Sequence, residues 1–481
     1  MWTASCRNIE NGDLGFHLAA GRLIHQQHAV PQVDDFSHTA LGTRWIDFEW
    51  LYQWGTYICW RLDGPRAVVA EHALLNVLTF GVLAWLLYRR RGPPIEGLCA
   101  LALAVLACEL RFSVRPHAVG RLLLVVVLAG LLNWRRDRTA PLWPLVLVQM
   151  FWVNLHGSYL VALALAALLV VDERCERRPI GKPALLLAGL VLASLATPYG
   201  WRQTKSLLAH HAAVGSMATN PEWLPLKLSA SLLTEPGMWA LLALAVYVGV
   251  KLFVLRRDAG GWFERALWVT AVFAPFMHVR SVDASALVLV ALLLPVSSAP
   301  QREGGMHVVL SWGVVFLVLA SLEMAFVSNR YWRATGRTTR LGMGIGPMAP
   351  GYRAGEYLAQ FPRLGRIFNG YASGGWLIWW LHPSGGRVFV DGRDVGNVYS
   401  PEILGSYVNI LTDTAVFRET AAGYQWSALV LERGNPLGRG LIRRLQEDEA
   451  WRLVFLDDAN AVYLPGTVVR SAPDERDDPS P

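Results

Sequence analysis

Ten apolar segments follow one another between residues 66 and 327, and this succession constrains the fold more than any other feature. A helix needs about 20 apolar residues to cross a bilayer. The segments lie at 66–88, 95–112, 117–134, 141–153, 157–171, 183–197, 236–255, 264–277, 281–297 and 306–327. Two pairs, 141–171 and 264–297, can each be read as a hairpin or as one broken helix. The pattern predicts a polytopic α-helical membrane domain over residues 66–327.

Arginine-rich loops between these segments favour the hairpin interpretation. If both pairs are hairpins, the arginines occupy alternate loops, which the positive-inside rule places in the cytoplasm. Residues 1–65 and the chain after Val327 then both lie on the outer face. Because Met1–Glu10 has no apolar core, either residues 1–65 cross the membrane unaided or a first helix is missing upstream of residue 1, and this topology favours the second alternative. The net charge of +7 therefore reflects topology and does not indicate nucleic-acid binding.

The segment 1–65 is polar and aromatic, and its acidic residues are unusually dense for a stretch that precedes a membrane domain. It is either a solvated loop or a catalytic loop on the membrane surface. If 13–27 is helical, Asp13 and His17 lie on one face. Asp34 and Asp35 are adjacent and are weak candidate ligands for a divalent metal ion. Trp45, Asp47, Glu49 and Trp50 would form a sugar-sized aromatic and carboxylate surface or an interfacial anchor. The segment 49–62 predicts a short interfacial helix.

Four polar clusters from separate parts of the membrane domain fall on the same predicted outer face. Polar groups at membrane depth are costly and usually functional. Each cluster alone is also explained by a helix end or a turn. The clusters contain Arg115 and His117, Asn154 and His156, the run 197–200, and Arg280.

After Val327 the apolar runs shorten to strand length. Residues 328–348 read as a linker, 349–466 as a small soluble α/β domain, and 467–481 as a disordered tail. Strands are predicted at Arg366–Asn369, Gly375–Leu381, Arg387–Asp391, Ser427–Glu432, Trp451–Asp457 and Ala461–Leu464, with helices near 350–361, 401–423 and 436–449. Asp391, Arg393 and Asp394 follow a strand, where they form either a site or a structural turn held by an Arg–Asp pair.

The combination of these motifs resembles the bacterial polytopic proteins related to the GT-C glycosyltransferases. The resemblance covers most of the chain. Its motifs are DLGFHLAAGRLI (13–24), VPQVDDFSHTALGTRWIDFEWL (30–51), RPH (115–117), WVNLHGSYL (152–160), TPYG (197–200), and NGYASGGWLIWWL and VFVDGRD near 369–394. The set is specific for a family and much less so for a reaction.

The resemblance implies an enzyme of the bacterial inner membrane with an extracytoplasmic C-terminal domain. GT-C enzymes use a polyprenyl-phosphate sugar donor, and an acid in the first outer loop is the base. Asp13 matches that acid best, with His17 beside it and Asp34 as the runner-up. The chain departs from the pattern in lacking the first helix and in carrying Gly15-Phe16 where an aromatic pair is usual. The first departure puts the start of the chain in doubt, and the second weakens any claim about donor stacking.

The same residues fit glycosyl transfer on chemical grounds. An acceptor hydroxyl needs a positioned carboxylate base, and a lipid-phosphate leaving group needs Arg or His donors. The expected substrate-binding residues are Arg115, His117, Asn154, His156, Arg280, Trp45 and Glu49. The expected partners are membrane lipid, the donor, and a glycan or lipid acceptor. Two other functions stay open, a flippase for lipid-linked saccharides and a non-catalytic envelope glycan assembly protein.

Overall fold

A computed structural model describes residues 1–89, 93–214, 235–255, 261–296, 306–362, 364–393 and 397–469. The chain forms two compact units. Unit 1 contains Met1–Asn8 and Leu62–Gly344, and unit 2 contains Ile9–Arg61 and Ile345–Pro481. The sequence treats 1–65 and 349–466 as separate parts. In the structure most of the first folds with the second.

Unit 1 is helical, and each of the ten apolar segments contains a helix. Prolines at the first helical position begin several of them, since this position needs no backbone N–H donor. The helices of unit 1 in the described residues are Trp2–Ser5, the distal part of Trp50–Arg89, Pro94–Cys108, His117–Arg136, Pro144–Leu155, Leu160–Cys175, Gly181–Ala193, Trp201–Val214, Pro236–Val250, Trp262–Met277, Val282–Ala291, Leu293–Val296, Met306–Val327 and Arg330–Ala334.

Four helical stretches in the described residues are long and apolar enough to cross a membrane. They are Trp50–Arg89, His117–Arg136, Pro236–Leu255 and Leu310–Val327. The first is kinked at Asp63 and Gly64, where Gly64 has φ of 54°, a left-handed conformation that glycine adopts without strain. The kink separates the segment read as a short interfacial helix from the segment read as the first span.

Three arginine-rich helix ends meet in one ion network of unit 1. Arg135 pairs with Glu264 at 2.8 Å and with Asp172. The carboxylate of Asp172 also accepts the amide of Phe263 at 2.9 Å, and Arg138 pairs with Glu173 at 2.7 Å. The ends of His117–Arg136 and Leu160–Cys175 therefore lie beside the start of Trp262–Met277. The sequence predicts that the loops at these ends share one face.

Unit 2 is built on a five-stranded sheet. The strands are β1 Arg366–Asn369, β2 Arg387–Val388, β3 Ala428–Glu432, β4 Trp451–Leu456 and β5 Asn460–Pro465, in the order β2-β1-β3-β5-β4. β2, β1 and β3 are parallel, whereas β5 pairs antiparallel with both β3 and β4. The helices are Leu14–Gln27, the first part of Trp50–Arg89, Tyr352–Leu358, Gly374–Leu381, Pro401–Thr412, Thr414–Tyr424, Pro436–Leu445 and Gly466–Val469.

The segment Ile9–Arg61 contributes directly to the core of unit 2. Phe36 and Trp45 are buried in the same apolar cluster as Phe368 of β1 and Leu429 of β3. The backbone of Ser37 also bridges to Val388 of β2. Because apolar burial is the main stabilising term in folding, this segment is an integral part of the α/β unit and not a loop that lies free on a surface.

One predicted strand is wrong. Gly375–Leu381 lies in the helix Gly374–Leu381, which packs against the helix Leu14–Gln27. The run is continuously apolar, so its periodicity does not distinguish a buried strand from a buried helix. Arg22 stabilises the contact between the two helices. Its guanidinium donates to the carbonyl of Trp379 at 3.0 Å and lies 4.4 Å from the centre of the Trp379 ring.

Candidate functional site

Asp13 lies at the start of the helix Leu14–Gln27 and is half-buried. Its backbone amide donates to the side-chain oxygen of Asn11 at 3.0 Å. Its own Oδ1 lies against Gly392, so close that a Cβ at residue 392 would be 2.1 Å from it. Only glycine leaves room for the carboxylate in this position. The sequence singled out Asp13 and the Asp391-Gly392-Arg393 turn separately, and the structure places them together.

His17 lies one turn after Asp13 and is buried. Its Nδ1 is 3.9 Å from the carboxylate of Glu49, which is about a quarter exposed (25%). The ring of Tyr52 contacts the imidazole edge-on, with 5.6 Å between ring centroids. The structure therefore brings together three predicted site residues of unit 2, namely Asp13 and His17 along one helix and Glu49 at the start of the next.

Asp47, which the sequence analysis groups with Trp45, Glu49 and Trp50, is a buried carboxyl group beside this cluster. Its Oδ1 accepts the side chain of Gln53 at 2.8 Å and the amide of Glu49 at 3.3 Å. No residue that the structure describes forms a hydrogen bond with its buried Oδ2. Burial raises the pKa of Asp47 to about 7, although these hydrogen bonds and the charge of Arg393 act in the opposite direction. Asp47 therefore titrates near neutrality.

Asp34 is at the centre of a buried ion network. Arg393 donates to Asp34 Oδ1 at 2.6 Å and to both oxygens of Asp391 at 2.8 and 2.9 Å. The hydroxyl of Ser37 donates to Asp34 Oδ2 at 2.5 Å, and Tyr399 donates to Asp391. The prediction of a turn held by an Arg–Asp pair is confirmed, and Asp34 is a second partner of the arginine. Asp394 lies outside the described residues.

Asp35 faces away from its neighbour. Its carboxylate is half-exposed and pairs with Arg387 at 2.8 Å and His382 at 3.0 Å. Asp34 and Asp35 therefore present no shared set of oxygens to a metal ion. Among the residues that the structure describes, no group of three or more His, Cys, Asp or Glu side chains is arranged to hold one.

Trp45 is not an exposed sugar-stacking surface. It is buried, with 3% of its surface exposed. The guanidinium of Arg393 lies 4.9 Å from the centre of its ring and 5.0 Å from that of Phe36. Trp45 therefore stabilises the buried arginine through its ring face. The sequence could not separate this role from an interfacial one.

In unit 1 a cationic group surrounds His117. Its Nε2 donates to the carbonyl of Arg111 at 2.7 Å, and Arg121 donates to the same carbonyl at 3.0 Å. Arg121 also pairs with Asp283 at 3.1 Å. Arg115 is half-buried and acts electrostatically on His117. His117 therefore holds the 111–117 turn in place.

His156 lies beside the helix His117–Arg136, and its hydrogen bonds determine its tautomer. Its Nδ1 accepts the amide of Ser158 at 3.2 Å and lies 2.6 Å from the Ser158 hydroxyl. The proton of the neutral ring is therefore on Nε2, so the ring remains a donor without carrying charge. A Cβ at Gly120 would lie 2.9 Å from Nδ1, and the charge of Arg280 acts on the ring.

Asn154 connects its own helix, Pro144–Leu155, to the segment that follows the helix Gly181–Ala193. Its side-chain amide donates to the carbonyls of Met150 at 2.8 Å and Ala196 at 2.7 Å. The hydroxyl of Tyr159 bonds Thr204 at 2.8 Å. The four predicted clusters therefore lie close to one another within unit 1, at 115–117, 154–156, 197–200 and 280. Gly120 lies against His156, and the charge of Arg280 acts on His156. Ala196, just before the run 197–200, accepts from Asn154. Asn154 contributes to this by holding the backbone.

No protein-family model matches the chain, and no curated protein matches it. Solved structures do match. An oligosaccharyltransferase from Archaeoglobus fulgidus superposes with a TM-score of 0.57 at 11% identity, over 88% of this chain and 66% of that one. ArnT from Cupriavidus metallidurans bound to undecaprenyl phosphate superposes with a TM-score of 0.56 at 14% identity, over 96% of this chain and 95% of that one.

The chain has a GT-C-like fold. It spans about two thirds (66%) of the archaeal oligosaccharyltransferase, which has also been solved with an inhibitory peptide and dolichol-phosphate. At these identities the likeness is one of fold. The resemblance found in the sequence motifs and the likeness found in the structure agree on this architecture, a helical domain with apolar helices and a small C-terminal sheet.

Proposed function

We propose that this GT-C-like protein is a membrane glycosyltransferase that takes a hexose or pentose from a polyprenyl-phosphate-linked donor. The observation that carries the proposal is the match to ArnT over nearly the whole of both chains. That structure contains undecaprenyl phosphate. The acceptor is a glycan or a lipid at the outer face of the membrane.

Asp13 is the general base of the proposed reaction. The acceptor oxygen attacks the anomeric carbon while its proton passes to the Asp13 carboxylate. The bond from the anomeric carbon to the phosphate oxygen breaks, and the lipid phosphate leaves with the electron pair. A single displacement of this kind inverts the anomeric configuration. Asp13 suits the role because it is half-buried at a helix start and His17 and Glu49 follow it.

Asp34 is the weaker candidate for the base. Its two oxygens accept hydrogen bonds from Arg393, Ser37 and the amide of Phe36. Both oxygens of Asp34 are therefore engaged by donors of the protein itself, and contact with an acceptor hydroxyl would require this buried ion pair to break. Asp34 is better explained as the group that holds the Asp391-Gly392-Arg393 turn against Asp13.

Arg115, Arg280 and His156 are the proposed ligands of the donor phosphate. Two guanidinium groups neutralise the charge that develops on the leaving phosphate, and each can donate two parallel hydrogen bonds. His156 adds a neutral Nε2–H donor. His117 and Asn154 position these groups, since their side chains hold the carbonyls of Arg111, Met150 and Ala196. Glu49 orients His17 or binds an acceptor hydroxyl.

The experiment is transfer from a radiolabelled donor in membrane vesicles that contain the protein. Polyprenyl-phosphate-linked hexoses and pentoses are supplied one at a time. The proposal predicts that label leaves the lipid for an acceptor and that free polyprenyl phosphate accumulates in equal amount. If the intact donor crosses the membrane and its label stays on the lipid, the protein is a flippase. If no donor is turned over or moved, the assembly function is favoured.

A further inference from the structure

A cleft lies in unit 2, and it does not contain Asp13 or the residues around it. It is formed by the helix Thr414–Tyr424, the turn before β4 and the end of β5, and its volume is about 550 Å³. Ligand sites commonly have volumes of about 300–1,000 Å³. Its lining includes the side chains of Phe417, Trp426, Trp451, Arg418, Asp448 and Glu449.

The apolar wall of the cleft is a rigid group of aromatic rings. Trp451 is half-buried, and Phe417 and Trp426 are buried. The ring centroids of Phe417 and Trp451 are 6.4 Å apart, and those of Phe417 and Trp426 are 6.0 Å apart. Aromatic rings in such arrangements hold one another in place. Trp451 therefore lines the cleft with an indole ring that is partly accessible and is held against Phe417.

The polar wall carries more carboxylate than guanidinium. Asp448 is turned into position by the amide of Ala450, which donates to its Oδ1 at 3.0 Å. Its Oδ2 is 3.5 Å from Arg418, which is largely exposed. Glu449 is exposed at the rim. With Arg418 paired to Asp448, the wall has a net charge of about −1 and offers acceptors for hydroxyl groups.

We infer that this cleft binds a neutral saccharide. One face of a pyranose ring carries C–H groups that pack on an indole, while its hydroxyls donate to carboxylates. The acidic balance of the wall disfavours phosphates and uronic acids. This binding site is independent of the proposed transfer reaction, since none of its six side chains belongs to the site that contains Asp13. It gives the soluble unit a means of holding a glycan chain.

The test uses the full-length protein in detergent and saturation-transfer-difference NMR. The probes are cellobiose, maltose, N,N′-diacetylchitobiose and methyl β-D-galactopyranoside, with glucuronic acid as the anionic comparison. We expect saturation transfer to at least one neutral probe and weaker transfer to glucuronic acid. Trp451→Ala should reduce the signal at least fivefold. Glu449→Gln should reduce it too, and because Glu449 is exposed this variant tests the cleft without altering the core.

Leu453→Ala is the matched control, since Leu453 is an exposed apolar residue on the same strand and does not line the cleft. It should bind as the parent does. The inference is overturned if no neutral probe receives saturation, if glucuronic acid is preferred, or if Trp451→Ala and Glu449→Gln both keep the parent signal. Sugar transfer measured on the same variants separates the two proposals, because loss of binding at the cleft with intact turnover leaves the proposed reaction standing.

Discussion

Asp34 and Asp35 are neighbours in the sequence, but their replacement should have unequal costs. Asp34→Asn leaves Arg393 buried with one of its two carboxylate partners weakened, and breaking a buried ion pair costs about 3–5 kcal/mol. Asp35→Asn removes pairs at a half-exposed carboxylate, where the cost is about 1 kcal/mol or less. Thermal unfolding of the purified variants compares them. Equal melting temperatures would remove Asp34 from the structural role assigned to it.

Asp47 should make the stability of the protein depend on pH. Its pKa is about 7 in the folded state against 3.8 for an ordinary aspartate, so between these values the folded state holds the proton more tightly. The free energy of unfolding therefore falls as the pH rises through this range, by up to about 4 kcal/mol. Asp47→Asn abolishes the fall.

The measurement for Asp47 is the melting temperature of parent and Asp47→Asn at pH 5 and pH 8. The difference in melting temperature, Asp47→Asn minus parent, should be larger at pH 8 than at pH 5. A constant difference between the two proteins at both values would show that Asp47 does not titrate in this range.

At the scale of elements, the contact between the helices Leu14–Gln27 and Gly374–Leu381 depends on glycine. A Cβ at Gly15 would lie 2.3 Å from the carbonyl oxygen of Gly375, and backbone atoms have little freedom to retreat. Gly15→Ala should therefore destabilise the fold by about 1–3 kcal/mol. Gly405 lies in an exposed helix with open space around it, and Gly405→Ala should be neutral or stabilising by up to about 1 kcal/mol. Unfolding curves of both variants test this, and an equally stable Gly15→Ala would contradict the packing described.

This contact also explains one departure from the GT-C pattern. Gly15 stands where an aromatic residue is usual, because unit 2 leaves no room there for a side chain. The sequence predicts all five strands of unit 2 to within a few residues at each end, because their apolar runs are short and bounded by turns. It misassigns Gly375–Leu381, since a run that is buried on all sides has no periodicity to read.

At the scale of the whole molecule, the composition of unit 2 restricts the topology. Ile9–Arg61 and Ile345–Pro481 share one core, so both must lie on the same side of a membrane. This requires an even number of membrane crossings between them, and the ten predicted spans meet the requirement. The positions of the helices and the shared face of the arginine-rich loops follow from hydropathy and charge. The packing of residues 9–61 against the sheet cannot be predicted from hydropathy and charge, because no local pattern in the sequence indicates a contact over 300 residues away.

Single cysteines at Asp137 and Gly434, in a background without native cysteine, test this topology. A membrane-impermeant maleimide applied to intact cells should label Gly434→Cys and leave Asp137→Cys unlabelled until the cells are opened. The reason is that the positive-inside rule predicts a cytoplasmic position for the arginine-rich loop near Asp137 and an outer position for unit 2. Labelling of both positions from the same side would contradict it.

The proposed role of Asp13 as the base of a glycosyl transfer is tested most directly by the transfer rate of Asp13→Asn. This variant keeps the shape of the side chain and removes the basic oxygen. With a polyprenyl-phosphate-linked donor that the parent protein uses, transfer should fall by about 10²–10⁴ while the melting temperature is unchanged. Asp35→Asn, an exposed acid of the same segment, should transfer at the parent rate. Parent-rate transfer by Asp13→Asn would contradict the claim, and loss of transfer in a stably folded Asp34→Asn would assign the base to Asp34.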